Sequence, residues 1–600
     1  MKLFKKVKKT DEKLITKSNS ITLNMILTLL KKKISQILLV VICSLVSIGF
    51  SSSLPLIYKF LIDNVIMNNK FQDIYIYILI LLILAIGVLV LNYTKEKVMY
   101  NTTDYISRKL RESAFENCLK MKYFEFEKIG YQKMLKSITR EVGRICDVFI
   151  NNDIPNFVFQ SIQLIFIFSM MMALNWKIAI LFFIISPTLF LIMKKSRTKI
   201  EILDSKLINL LIRCDNFLTH SLLGIKTVKT FCGENCELNE FKQWLDENAK
   251  VSWKIKNLHN FIKYIIPTVL EQFIVAATLV ISGYFVAEQQ MSIGELVAII
   301  SYIPLLFRSL NETLGIQIKF SELKNSLSQI DEIFTSSKEN GNVLVDTNSN
   351  LILDVENLSF SYGRKNSNIT IPHLNIEKGQ FIAVVGESGT GKSVIFDIIC
   401  KFYKTEVGKF NFYGHDINEV NTQQLRNMVK LVSQSTFLWN KSIKENIIYP
   451  NQVDESFNIE KYKKCIEITQ LTNYIDSLPK KDETILGDFG SQISGGEAQR
   501  ISLARAFYSD YSLLLLDEPT SALDSVTSNK IINTIIEENK KGKTVIMITH
   551  NISQALLADK IAFIRNGKLD DFNSPQSLIK TNIYFKEMYQ NYCNKEENNL

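Results

Sequence analysis

Apolar and polar residues are distributed differently along the two halves of the chain. The first half carries long apolar runs separated by long polar ones, whereas the second carries short apolar runs punctuated by turns. Six stretches, at about 36–58, 74–93, 154–174, 178–194, 260–286 and 292–310, are long and apolar enough to cross a hydrocarbon core of about 30 Å. The clearest is YIYILILLILAIGVLVLNY, Tyr75–Tyr93. The third and fourth are separated only by Asn175-Trp176-Lys177, which predicts a tight hairpin. Residues from about 350 onward read as an α/β domain, with short β-branched and leucine-rich strands between helical patterns.

The polar segments between spans are informative. Those at 95–153 and 195–259 are long, basic and nearly free of Pro and Gly, with apolar residues at helical spacing. They predict transmembrane helices that run on into the cytosol, because structureless loops of that length are uncommon. Their turning points fall at YFEFEKIG (Tyr123–Gly130) and LLGIKTVKTF (Leu222–Phe231), each positioned to press on another domain. The opposite loops are short and poor in Lys, so both termini and the α/β domain are expected in the cytosol. The Lys-rich start reads as a cytosolic tail. Charges in or near the spans (Lys59, Asp63, Lys263, Glu271, Arg308 and Glu312) are functional candidates, or side chains that reach back to water.

Composition adds little beyond this. The net charge is +10, from 70 basic and 60 acidic residues, and the basic residues are scattered over cytosolic segments. That pattern suits a membrane protein with a positive inner side, and no nucleic-acid motif accompanies it. The nine cysteines are dispersed. Cys232 and Cys236 are the only close pair, and no second pair completes a metal site.

The candidate chemistry lies in the second half. Phe381–Val385 reads as a strand, and it leads into Gly386-Glu387-Ser388-Gly389-Thr390-Gly391-Lys392-Ser393 and then a helical run. In such a loop, backbone N–H groups wrap phosphates, Lys392 reaches the β- and γ-phosphates, and Ser393 ligates Mg²⁺. Downstream, four leucines form a buried strand that ends at Asp517 and Glu518. Asp517 is expected in the Mg²⁺ shell, and Glu518 orients or deprotonates the attacking water. A further strand ends at His550, where a γ-phosphate contact is sensible. A second glycine turn, Ser494-Gly495-Gly496, opens a helix far from this loop and has an acid, Glu497, beside it.

These motifs together resemble the ATP-binding cassette (ABC) exporters, in which one membrane domain is fused ahead of one nucleotide-binding domain. GESGTGKS, LLLLDE, SALD, ITH and ISGGE occur in that family's order. By the resemblance, Tyr362 in FSYG stacks on adenine, and Gln434 joins Mg²⁺ near the membrane-domain contact. Two chains close head to tail, so Ser494, Gly495 and Gly496 of one chain cover the ATP held at Lys392 of the other. Asp524 crosses the same interface. The implied fold is an all-α transmembrane domain of six long helices, followed by an α/β P-loop NTPase domain of the ABC type, working as a dimer.

The expected organisation is a tail at 1–34, a membrane domain at 35–335, a linker at 336–350, a nucleotide domain at 351–590 and a tail at 591–600. The expected partners are a second copy, the lipid bilayer and a transported substrate, with ATP and Mg²⁺ as cofactors and no nucleic acid. The expected location is a bacterial plasma membrane. The implied function is ATP-driven export of a peptide or amphipathic small molecule by alternating access. A lipid flippase, a metallophore importer on the same fold and an ATP-gated channel stay open as alternatives. Relative to the family, Ile493 and Glu497 depart from the usual Leu and Gln. Glu497 is either a neutral variation in a helix's first turn, where an acid is favoured, or a brake on dimer closure.

Overall fold

The computed structural model describes residues 20–151, 153–180, 202–203, 206–207, 210–339, 341–361, 368–387, 389–405, 407–451, 457–487 and 493–597. The chain forms two compact units. One comprises Met1–Leu119 and Ile129–Ser336, and the other Lys120–Lys128 and Ser337–Leu600.

Long helices make up the first unit. Five of them, among the described residues, are long and apolar enough to cross a membrane: Ile34–Ile66, Phe71–Lys120, Tyr131–Leu174, Ile266–Ala287 and Ile293–Thr313. The expected span at 178–194 lies outside the described residues from 181 onward. The helix Ile74–Lys120 has 47 residues, and at 1.5 Å per residue it is about 70 Å long. The helix Ile293–Thr335 is nearly as long. Both exceed the thickness of a bilayer, so their polar ends project from it. The fifth expected span, about 260–286, falls within an unbroken helical stretch. A polar helix, Glu234–Asn260, passes through a π-helical turn at Phe261–Ile265 before the apolar helix starts at Ile266.

The core of this unit is built on the face of Ile293–Thr335 that carries Tyr302, Ile303, Leu306 and Leu310, packed against Ile167, Met171 and Ile274. The Tyr302 hydroxyl donates to the Ser52 carbonyl at 2.7 Å, which satisfies a polar group that burial would otherwise penalise. Two of the charges singled out from sequence are engaged at helix ends. Asp63 accepts from the Ser292 hydroxyl at 2.7 Å and the Gly294 N–H at 2.9 Å, and so adds an anion to the start of the last long helix. Lys59 pairs with Glu295 at 2.9 Å. Gly294 is required there, since a Cβ would lie 2.6 Å from the Asp63 carboxyl. By contrast, Arg308 and Glu312 are exposed on this chain, and neither they nor half-buried Glu271 have an ion-pair partner among the described residues. The Lys263 side chain lies outside the described residues.

The second unit is an α/β domain around one sheet. Its strands are β1 (Leu351–Ser361), β2 (Asn368–Glu377), β3 (Phe381–Gly386), β4 (Val407–Phe412), β5 (His415–Asp416), β6 (Val429–Val432), β7 (Leu513–Asp517), β8 (Thr544–Ile548), β9 (Lys560–Arg565) and β10 (Lys568–Asn573). Their order is β5-β4-β1-β2-β10-β9-β3-β8-β7-β6. The run from β9 through β3, β8 and β7 to β6 is parallel. Its strands are apolar on both faces because both faces are covered. Phe381, Ala383 and Val385 enter one core, while Ile382 and Val384 enter the other. Leu514 and Leu516 alternate with Leu513 and Leu515 in the same way.

The short helix Tyr123–Ile129 contributes residues to this unit. The Tyr123 ring lies 4.9 Å from that of Phe402, and Tyr403 donates to Glu127 at 2.5 Å. The segment after the last long helix is tied in beside it, with Glu339 in a two-pronged pair with Arg426 at 2.7 and 2.8 Å.

Candidate nucleotide site

The site forms where parallel strands end. In such sheets the carboxyl ends of neighbouring strands open a crevice that side chains from several loops can share. β3 delivers the loop from Gly386 to Ser393, β7 delivers Asp517 and Glu518, and β8 delivers His550. Asp517 is in register with Ile548 of β8, and the Glu518 N–H donates to the Ile548 carbonyl at 3.0 Å. Tyr362 and Ser388 lie outside the described residues.

Two glycines of the loop are structurally required, for different reasons. Gly386 lies against β9, where a Cβ would come 2.3 Å from the Ile564 carbonyl oxygen. Gly391 has a left-handed backbone at φ +87° and starts the helix Lys392–Ile399. Lys392 is buried, and its ammonium donates to the carbonyls of Gly386 at 2.9 Å and Glu387 at 2.7 Å. Burial pushes its pKa down, against the pull of Glu518, Asp517 and Glu387. Thr390 donates to the Glu387 carbonyl at 2.8 Å and tightens the loop.

Asp517 has the opposite problem. Burial raises its pKa, even though Ser393 hydrogen-bonds to it and Lys392 is near. A half-buried, incompletely compensated carboxylate beside a hydroxyl is an all-oxygen donor pair of the kind that suits a hard cation such as Mg²⁺. Glu518 is held at both oxygens. Gln434 donates to Oε2 at 2.9 Å, and His550 Nε2 lies 2.9 Å from Oε1. Glu518 also has a left-handed backbone, φ 49°, which disfavours a side chain and so needs its surroundings to hold it.

The Ser494 turn is resolved as a helix cap. Ser494 is the N-cap of Gly495–Tyr508, and Glu497 completes a capping box. The Ser494 N–H donates to Glu497 Oε2 at 2.7 Å, the Glu497 N–H donates to Ser494 Oγ at 3.3 Å, and the Ser494 hydroxyl is bonded to the same carboxylate. The two glycines differ. A Cβ on Gly496 would meet the Ala522 carbonyl oxygen at 2.9 Å, whereas one on Gly495 would meet only the Ala522 methyl at 3.7 Å. One of the pair is therefore needed inside its own chain. Asp524 caps the next helix, Ser525–Lys540, accepting from Val526 and Thr527 at 3.0 and 2.9 Å. Those bonds hold its carboxyl below the usual range.

Three further residues were not apparent from sequence. Gln499 donates to the Glu518 carbonyl at 2.7 Å and accepts from the Ala522 N–H at 3.2 Å. Gln554 joins Thr520 to Thr549 and Ser528. Arg505 donates to the carbonyls of Asn446 at 2.7 Å and Phe437 at 3.1 Å, with its guanidinium 4.8 Å over Trp439. It links the Ser494 helix to the loop that carries Gln434. The available signal was a polar residue on a core-facing position, since Gln499 shares a helix face with Leu503 and Phe507.

Comparisons with known proteins agree with this architecture. Residues 37–310 match the model of the ABC transporter transmembrane region, and residues 369–521 match the ABC transporter model. A lipid A-core flippase of Alcanivorax borkumensis, described as ATP-dependent, is 25% identical over 84% of this chain and 85% of its own. A Bacillus subtilis protein named as a multidrug export ATP-binding/permease protein is 24% identical over 92% of this chain and 96% of its own. The structure of a bacterial Atm1-family ABC exporter with ATP bound superposes with a TM-score of 0.81 at 21% identity, covering 93% of this chain and 98% of that one. The chain thus belongs to the ABC transporter family, as an ATP-hydrolysing exporter whose transmembrane region is fused ahead of its nucleotide-binding domain.

Proposed function

We propose that this chain, as a homodimer, exports a peptide or an amphipathic small molecule from the cytosol of a bacterium, with both termini on the cytosolic side. ATP and Mg²⁺ bind where β3, β7 and β8 end. The observation that carries the reading is the convergence of Lys392, Asp517, Glu518, Gln434 and His550 on one crevice.

The roles follow from chemistry. Lys392 exchanges its two carbonyl partners for phosphate oxygens. Ser393 and Asp517 would hold the Mg²⁺, with Gln434 beside it, and the ion would supply charge neutralisation for the phosphates. Glu518 orients the attacking water and accepts its proton as the γ-phosphorus–oxygen bond to ADP breaks. His550 donates to the γ-phosphate. Gly386, Glu387, Ser388, Gly389, Thr390 and Gly391 surround the phosphates, and Tyr362 stacks on the adenine. Ser494, Gly495 and Gly496 close on the nucleotide held by the second chain, with Asp524 at the same interface. ATP then holds the two nucleotide domains together, and hydrolysis releases them. The exposed Leu222, Leu223 and Phe231 of the second cytosolic turn suit a docking role that conveys this motion to the spans.

The test uses the full-length protein in inside-out vesicles. ATP-dependent uptake of a fluorescent amphipathic peptide is expected, and Glu518→Gln should abolish it. ATP hydrolysis without accumulation would favour a gated channel. A second reading, lipid translocation, is supported by the similarity to the lipid A-core flippase of Alcanivorax borkumensis. It predicts ATP-dependent flipping of a fluorescent phospholipid in proteoliposomes.

A further inference from the structure

The left-handed backbone of Glu518 has a cost, so something must hold it. Its N–H is fixed by the Ile548 carbonyl at 3.0 Å. Its carbonyl accepts from Gln499 Nε2 at 2.7 Å and from the Ser521 N–H of its own turn at 3.2 Å, so Gln499 is the contact that comes from outside the turn, and the same amide's oxygen accepts from Ala522 at 3.2 Å. Gln499 is only 3% exposed, and Ser521 Oγ lies at 3.5 Å from Nε2 as its remaining polar neighbour. Gln499 therefore spans the turn from Glu518 to Ala522 from the outside.

Gln499 belongs to the helix that starts at Gly495. Ser494, its cap, precedes Gln499 by five residues, about 7.5 Å along the axis. A rigid helix moves both together. Gly496 is in tight contact with the same turn, at the Ala522 carbonyl. One element thus carries, at its tip, the turn that faces a second chain's nucleotide and, one and a half turns later, the amide that holds the backbone of Glu518.

We propose that Gln499 is a positioning residue for hydrolysis: it sets the Glu518 backbone according to where the Ser494 helix sits. Seating of Ser494-Gly495-Gly496 on the nucleotide of the second chain is thereby transmitted to Glu518 of the first. The inference rests on the head-to-tail dimer proposed above. It makes hydrolysis cooperative in ATP, because each site's base depends on occupancy of the other.

The test uses the full-length protein in nanodiscs and compares Gln499→Met, which keeps the length but neither donor nor acceptor, with Gln499→Glu. The glutamate keeps the acceptor for Ala522 and loses the donor to Glu518. Gln554→Met is the control, a buried glutamine on the same turn that belongs to another helix. Wild type should show a Hill coefficient for ATP above 1. Both Gln499 variants lose the hydrogen bond to the Glu518 carbonyl and should lose about tenfold in kcat or more, the methionine, which also loses the Ala522 bond, at least as much as the glutamate. Their Hill coefficient should fall to 1, while binding of fluorescent trinitrophenyl-ATP stays within about twofold. Gln554→Met should keep the wild-type Hill coefficient.

Cooperative wild-type turnover with unaltered kcat and Hill coefficient in Gln499→Met would overturn the inference alone. So would parallel loss of nucleotide binding and kcat in Gln499→Met and Gln554→Met, which means a folding role only. A Hill coefficient of 1 in wild type also overturns it. Absence of any ATPase that Glu518→Gln removes overturns the parent reading, and this inference with it.

Discussion

The Glu497 carboxylate accepts the N–H of Ser494 at 2.7 Å, and Ser494 Oγ accepts the N–H of Glu497 at 3.3 Å. The acid is turned back to its own helix cap, so its charge lies on the N-terminal dipole, where an anion is favoured. This geometry favours the neutral reading over the brake. Glutamine can fill the same box. Glu497→Gln is therefore expected to change ATPase by less than about twofold, whereas Glu497→Ala should cost about 1 kcal/mol of stability. Urea unfolding and steady-state ATPase on both variants check this. A clear rise in turnover for Glu497→Gln would restore the brake.

Gly495 and Gly496 give a second test, because only one is crowded by its own chain. Gly496→Ala must displace the Ala522 carbonyl and should lower stability as well as activity. Gly495→Ala meets ordinary contact distances, and Ala favours a helix over Gly by up to about 1 kcal/mol. Its melting temperature should hold or rise. A tenfold or greater loss of ATPase in a stable Gly495→Ala protein would then report the close approach of the second chain's nucleotide. Full activity would count against that approach.

Asp517 couples stability to pH. Burial raises its pKa, so its neutral form is favoured in the fold. The stability that this contributes is complete below the ordinary aspartate value of about 3.9, and it is lost as pH rises through the raised value. At pH 7 the charged group therefore destabilises the nucleotide-free protein. Asp517→Asn should raise the melting temperature by about 2 °C at pH 7, with a smaller gain near pH 4, and should abolish hydrolysis. Differential scanning fluorimetry at the two pH values decides it; an equal or lower melting temperature at pH 7 contradicts the argument.

Arg505 holds two functional segments together. Burial brings its pKa down to about 10, so it is still charged at neutral pH. Its guanidinium bonds to the backbone on the Gln434 side while stacked on Trp439. Lysine cannot reproduce the fork or the stacking. Arg505→Lys should cost about 2 kcal/mol in denaturant unfolding and lower kcat. Trp439 fluorescence should shift in the folded variant, and an unshifted spectrum with wild-type kcat would refute the link.

Much of this protein follows from local sequence, for physical reasons. Long apolar runs have few alternatives to spanning a bilayer, so the spans are legible one at a time. The loop from Gly386 to Ser393 and the leucine strand ending at Asp517 and Glu518 are equally legible, because strand period and glycine placement are local properties. The resemblance to ABC exporters then supplied the order in which these pieces act.

Tertiary structure decided what no local pattern encodes. Lys59 and Asp63 could have reached back to water, but contacts more than two hundred residues away bind them to the last long helix. Glycine in Gly386 and Gly496 looked like room for phosphate, whereas strand and turn carbonyls of the same chain occupy that space. Gln499 and Arg505 read as ordinary helix residues until the fold brought Glu518 and the Gln434 loop to them. Sequence fixes which segments can form and which groups can react. The distances among those groups depend on pairings between segments far apart in the chain, and only packing sets them.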